Sequence, residues 1–274
     1  MGKRNIVFSF LCVAFFPFCS ALGVETAGIV DSDPPLIQAV KRNDIDGVKK
    51  LLEEGVNPDL RDKENDNALN WAAYLGNLEV VKEIMASISD DNIEFIDSIG
   101  KYGHTPLMDA IRKNYVDVSL FLLKKRAEVN IKDNYGWTAL HHAVVKGHSK
   151  IILALIKRDA NIGAKTNNSQ TPLILAVRSK KYGAMKILLD PSRYPFGIGV
   201  KIEHEDRWGY GALYYARRNG FIKGVRLLFG HGAKNNYSWL SITSSIKKWF
   251  PCLKSSELLE KVFECIFRPT YRTE

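Results

Sequence analysis

Residues 136–148 read Gly136-Trp137-Thr138-Ala139-Leu140-His141-His142-Ala143-Val144-Val145-Lys146-Gly147-His148, and they mark out one short helix with both of its ends. Gly136 suits a tight turn, because it takes positive φ without steric cost. Thr138 can cap a helix that starts near Ala139, its hydroxyl accepting from a first-turn N–H that has no helical carbonyl. Leu140, Ala143 and Val144 fall at i, i+3 and i+4, on one helical face. Gly147 ends the helix as a left-handed cap. A second apolar stripe follows at Ile151, Ile152, Leu155 and Ile156 and sets out a second helix. Neither helix can bury its stripe alone.

The unit recurs along the chain. The leucines equivalent to Leu140 are Leu36, Leu69, Leu107, Leu173 and Leu213; the successive intervals from Leu36 are 33, 38, 33, 33 and 40 residues. Three intervals share one period, and the other two carry insertions of 5 and 7 residues. A fixed period in this range means stacked supersecondary units. The chain shows Thr105-Pro106-Leu107, Thr138-Ala139-Leu140-His141 and Thr171-Pro172-Leu173, each with Ala three residues after Leu (Ala110, Ala143, Ala176). Later in the units come Leu51-Leu52, Leu122-Leu123, Leu188-Leu189 and Leu227-Leu228, with Gly232-Ala233 near the end. On these residues the chain resembles the ankyrin-repeat family over roughly 33–236. The resemblance implies an all-α solenoid of six helix-turn-helix units with β-turn fingers, at about 33–65, 66–102, 103–135, 136–168, 169–208 and 209–236.

The ends of the chain have other expectations. Met1-Gly2-Lys3-Arg4 is positive, residues 5–18 are nearly all apolar, and Cys19-Ser20-Ala21-Leu22-Gly23 offers small residues for cleavage. That is the layout of a secretory signal peptide over 1–23, cut after Ala21 or Gly23; the alternative is an uncleaved anchor, for which the run is short. The mature chain is then exported, periplasmic or secreted, with a membrane role not expected after cleavage. Export leaves Cys252 and Cys265 as an even pair in an oxidising compartment, either bridged or as two free thiols. Residues 237–274 break the period. The stripe Trp239, Leu240, Ile242, Ile246, Trp249 and Phe250, then Leu258, Leu259, Val262, Phe263, Ile266 and Phe267 after Pro251, reads as a helical C-terminal cap over the last repeat. Of the insertions, one is expected as an extended connection over 88–102. The other holds Pro191, Pro195, Gly197 and Gly199, which exclude a continued helix.

Composition narrows function. The 274 residues are 46% hydrophobic and 25% charged, with net charge +9 at pH 7. Lys and Arg are interspersed with Asp and Glu, so no nucleic-acid partner is expected. No Gly-Lys-Thr phosphate loop, Gly-x-Ser-x-Gly elbow or His-Glu-x-x-His helix is present, and no catalytic or cofactor site is expected. His141, His142 and His148 lie close together in sequence, but the resemblance implies that His141 and His148 support turns. Zinc needs three or four converging ligands, so no metal site is expected.

The resemblance implies recognition through turn tips and the outer side of each first helix. By register, the residue two after the repeat Leu faces outward: Gln38, Trp71, Asp109, His142, Leu175 and Tyr215. So do residues two and three after the repeat Ala: Lys41, Arg42, Tyr74, Arg112, Lys113, Val145, Lys146, Arg178 and Arg218. Turn tips add Tyr102, Tyr135, Trp137, Trp208 and Tyr210. This strip is rich in Trp, Tyr and Arg, the residue types that dominate protein hot spots. The expected function is a monomeric, non-catalytic scaffold that binds a protein partner. The other readings are a secreted effector acting on a host protein or membrane, and an enzyme with its site in 190–207 or the tail.

Overall fold

The computed structural model describes residues 33–88, 93–190, 192 and 200–234. The leader, the tail with Cys252 and Cys265, and most of the 190–199 insertion lie outside the described residues.

Twelve α-helices follow in six pairs among the described residues: α1 (Pro35–Lys41) and α2 (Ile45–Glu53), α3 (Ala68–Leu75) and α4 (Leu78–Ala86), α5 (Pro106–Lys113) and α6 (Val116–Lys124), α7 (Ala139–Lys146) and α8 (Ser149–Ile156), α9 (Pro172–Arg178) and α10 (Tyr182–Leu189), α11 (Ala212–Arg218) and α12 (Ile222–Gly230). Each first helix packs on its own second helix and on the first helices of the neighbouring units; the second helices stack on each other in the same order. The repeat leucines Leu36, Leu69, Leu107, Leu140, Leu173 and Leu213 are all buried in one continuous core, together with Ala72, Ala110, Ala143, Ala176 and Ala216. The burial that no single pair achieves is thus shared between neighbours.

The helix ends are where the residues placed them. Gly147 caps α7 at φ 81°, and Gly76 caps α3 at φ 79°. Thr105 and Thr171 accept at Oγ1 from the N–H groups of Met108 and Ile174, each at 3.4 Å. Thr138 and His141 form a capping box at the start of α7. Pro at N1 of α1, α5 and α9 fits a position whose N–H needs no helical partner.

Between units the chain makes fingers, and the fingers are tied in succession. Asn134 N–H donates to Tyr102 O at 3.0 Å, Asn167 N–H to Tyr135 O at 3.0 Å, and Arg207 N–H to Asn168 O at 3.0 Å. Gly136, at φ 74°, lets its finger come so near the next one that a Cβ there would stand 2.7 Å from Asn167 N. Among the described residues the only ladder-type pairing is a single antiparallel bridge, Glu205 with Gly211.

The connection at 88–102 departs from the extended chain expected of it. Ile93–Asp97 is a 3-10 turn that buries Phe95 and Ile96, so part of the first insertion is core. Three apolar residues in a five-residue segment, Ile93, Phe95 and Ile96, gave no periodicity to read.

Candidate functional site

The finger side carries a motif built three times. Asp62, Asp133 and Asp206 sit at the base of the second, fourth and sixth fingers, each seven residues before the repeat Leu. Each turns one oxygen to its own finger: Asp133 Oδ1 accepts from the N–H groups of Tyr135 and Trp137, both at 2.8 Å, and Asp206 Oδ1 from Trp208 and Tyr210 at 3.0 and 3.1 Å. The other oxygen meets the residue nine positions later, on the first helix. Trp71 Nε1–H donates to Asp62 Oδ2 at 2.7 Å, Tyr215 O–H donates to Asp206 Oδ2 at 2.7 Å, and His142 Nε2 lies 3.0 Å from Asp133 Oδ2.

Two of these aspartates also receive a residue from the preceding finger. Gln170 Nε2–H donates to Asp206 Oδ2 at 3.3 Å, and Arg178 Nη1–H donates to Gln170 Oε1 at 2.8 Å. One unit pair earlier, His104 Nε2 stands 3.6 Å from Asp133 Oδ2, and Arg112 Nη1 lies 2.7 Å from His104 Nδ1. His104 Nδ1 is also 3.1 Å from Asp109 Oδ1, which accepts from Arg112 Nη1 at 3.1 Å. Arg112–His104–Asp133–His142 and Arg178–Gln170–Asp206–Tyr215 are the same construction with different side chains.

Charge follows from these contacts. Burial pushes the Asp133 carboxyl up, but bonds from His104, His142 and the Trp137 N–H outweigh it and hold the group well below the usual carboxylate range. Burial alone would lower His104; the carboxylates of Asp109 and Asp133 reverse this and raise it. For His142 burial wins over Asp133, and its pKa falls. At the sixth finger, burial and the hydrogen bond to Asp206 push Tyr215 up to about 12. Burial raises Asp206, but Tyr215, the Tyr210 N–H, Gln170 and the Trp208 N–H together hold it below its ordinary value.

His141 is a core residue, as the resemblance implied. Its Nδ1 accepts from Thr138 N–H at 3.0 Å, and its Nε2 reaches Ala164 O at 3.1 Å and, in the next unit, Gln170 O at 3.3 Å. Burial drives its pKa down to about 4, so the ring is neutral and Nε2 carries the hydrogen. His148 differs: its Nε2 is buried without a hydrogen-bond partner.

The expected recognition strip divides. Tyr135, Trp208 and Tyr102 are 58%, 53% and 49% exposed at finger tips, and Tyr74, Arg178 and Arg218 are also exposed. Trp71, Arg112, Trp137, His142 and Tyr210 are half-buried. Asp109, Leu175 and Tyr215 were expected outside and are buried instead, at 6%, 4% and 8% exposure. The reason is cover by the neighbours: Arg112 lies on Asp109, and the Arg178 guanidinium sits 5.1 Å from the Tyr215 ring. Lys41 and Lys113 lie 3.7 and 4.1 Å from the rings of Trp71 and Tyr74. Tyr210 stacks on Tyr214 at 4.1 Å.

Two cavities open along this side. One of about 240 Å³ is lined by Trp71, Tyr74, Tyr102, His104, Asp109 and Arg112 among others. The larger, of about 800 Å³, runs past Tyr102, His104, Asp133, Tyr135, Trp137, His142 and Asn168. They share Tyr102, His104 and Arg112, so Trp71 and Tyr135 line adjoining parts of one face. Sequence reasoning missed His104 and Asp133. The signal was there in register: His104 stands where the fourth unit has Trp137, one finger behind Asp133.

Comparison with known proteins gives two family matches: ankyrin repeats (3 copies) over residues 36–133 and 160–238, and ankyrin repeat over 135–167. Similar curated proteins include the NAD-dependent deacetylase sir2B of Dictyostelium discoideum, 33% identical over 105 residues, covering 36% of this chain and 13% of that protein. The human transient receptor potential cation channel subfamily A member 1 is 26% identical over 171 residues, covering 62% of this chain and 14% of the channel. Serine/threonine-protein kinase 12 of Arabidopsis thaliana is 30% identical over 89 residues, covering 32% and 18%. The chain thus spans less than a fifth of the length of each of these relatives. Among the described residues, no helix is long and apolar enough to cross a membrane.

Proposed function

Because this chain belongs to the ankyrin-repeat family, we propose that it is a non-catalytic scaffold that grips a protein partner along its finger side. The observation that carries this reading is the ladder of finger-to-finger backbone bonds. It holds the exposed rings of Tyr102, Tyr135 and Trp208 on the third, fourth and sixth fingers of a mutually braced run. Exposed aromatics on a rigid frame are ordered at little entropic cost when a partner docks. The exposed Arg218 adds a guanidinium that can donate in bidentate fashion to a carboxylate.

The relatives support recognition over chemistry. A deacetylase, a channel and a kinase are three different activities, and what each has in common with this chain is a small part of its length. We further propose that residues 1–23 direct export, so that the partner is met in the periplasm or outside the cell. Residues 237–274 are proposed to cap the last repeat. A bridge between Cys252 and Cys265 is proposed on the same compartment argument.

Photocrosslinking in the native host tests the reading. A photoreactive residue at Tyr135 should yield a discrete protein adduct, whereas one at the exposed Lys150 on α8 should yield none. Equal yields from both positions overturn the assignment of the finger side. Fractionation tests export separately, through loss of residues 1–23 and appearance outside the cytoplasm.

A further inference from the structure

The cluster around Asp133 holds more ligating power than its hydrogen bonds use. His104, Asp133 and His142 each offer an atom, and these atoms lie within 4.8 Å of one another. Asp133 Oδ2 stands 3.0 Å from His142 Nε2 and 3.6 Å from His104 Nε2. Two ligands of a tetrahedral zinc ion, each bound at ~2.0–2.2 Å, are ~3.3 Å apart. The two separations bracket that value, and the remaining His104–His142 pair lies within 4.8 Å. We propose that His104, Asp133 and His142 form a binding site for a zinc-class divalent cation, with its fourth coordination position facing the finger-side groove.

The chemistry of the donors selects the ion. Two imidazole nitrogens and one carboxylate suit zinc, cobalt or nickel, while calcium and magnesium want oxygen sets. The outer contacts are also of the right kind. Asp133 Oδ1 is held by two finger N–H groups, which leaves Oδ2 as a single oriented ligand. His104 Nδ1 faces Asp109 Oδ1, so with Nε2 on the ion the ring donates its remaining hydrogen to a carboxylate. Arg112 then keeps its bond to Asp109 and gives up its contact with Nδ1. The Trp137 ring, 5.0 Å from that of His142, restrains the third ligand.

The matched cluster at the sixth finger sharpens the point. Gln170 and Tyr215 occupy the places of His104 and His142, and both serve Asp206 with hydrogens. The frame therefore stands without any ion where its members are Gln and Tyr. Only at Asp133, among the described residues, are both neighbours of a finger aspartate imidazoles with a lone pair to give. Once bound, the ion would pin the third finger to the fourth unit. It would also leave one coordination position in the groove of about 800 Å³ for water or for a partner's carboxylate or imidazole.

The test needs no partner, so its result is separate from that of the scaffold reading. The full chain, stripped with chelator, is titrated with Co²⁺ and followed by visible absorption, then back-titrated with Zn²⁺. A one-to-one d–d spectrum of tetrahedral intensity with nitrogen and oxygen ligands, displaced by zinc, is expected. The variant H104Q/H142Y copies the sixth-finger network; it should fold with an unchanged circular dichroism spectrum and lose at least tenfold in cobalt affinity. His142→Ala should lose as much, while His231→Ala should lose nothing. A spectrum that survives in H104Q/H142Y, that shows sulfur-to-metal charge transfer from the tail cysteines alone, or that never develops, overturns the proposal.

Discussion

Tyr215 donates its phenolic hydrogen to Asp206 Oδ2 at 2.7 Å, from a first-helix position nine residues beyond the aspartate. Bound to an ionised carboxylate and buried, this bond is worth about 1.5–3 kcal/mol. Tyr215→Phe should therefore lower stability by about that amount, measured by urea denaturation. The remaining bonds from Gln170 and the finger N–H groups keep Asp206 partly satisfied and the loss finite.

The same pair gives stability a pH dependence at both ends. Tyr215 titrates at about 12, above the ordinary tyrosine value of 10.0. Its contribution is whole below about 10 and is lost as pH rises from there toward 12. Asp206 is shifted the other way, so its contribution is whole above the ordinary carboxylate range and is lost as pH falls through its lowered folded value. Ultraviolet titration of tyrosinate should show a late step that is missing in Tyr215→Phe. A wild-type curve without such a step contradicts the assignment.

Gly136 and Gly55 have φ of +74° and +79°, but their surroundings differ. An added Cβ at Gly55 meets nothing within 4 Å, and at Gly136 it would lie 2.5 Å from Asn167 Oδ1 and 2.7 Å from Asn167 N. Gly55→Ala should cost about 1 kcal/mol, the conformational penalty alone. Gly136→Ala should cost about 2–4 kcal/mol, because it also forces two fingers apart. Equal losses in the two variants would mean that the finger contact carries no energy.

Of the two family-position histidines, one has partners and the other does not. His141→Ala strands the Thr138 N–H and the carbonyl of Ala164 and opens a cavity, for an expected loss of about 2–4 kcal/mol. His148→Ala removes a ring whose Nε2 is already without a partner, and should cost less than about 1 kcal/mol. Thermal denaturation of the two variants side by side checks the ranking.

Finger tips should matter for binding and not for folding. Tyr135→Ala and Trp208→Ala remove side chains more than half exposed, so stability should change by less than about 0.5 kcal/mol. Capture of the protein partner should fall by about tenfold or more for each, as for aromatic anchors. Wild-type capture by the double variant would exclude these tips from the contact.

Register alone, in the sequence, determined the repeat number, the six helix pairs, the caps at Thr138 and Gly147, and the buried leucines. Each is set by groups within a turn or two along the chain, or by a stripe that must find a neighbour of its own kind. Which outward positions stay open was decided only by stacking. Asp109 and Tyr215 have the same register as Trp71 and His142, yet lie covered because Arg112 and Arg178 fold over them. His104 and Asp133 are 29 residues apart, and only the closure of one finger on the next brings them to 3.6 Å. Contacts of that kind depend on side-chain reach across a backbone spacing that no local pattern records.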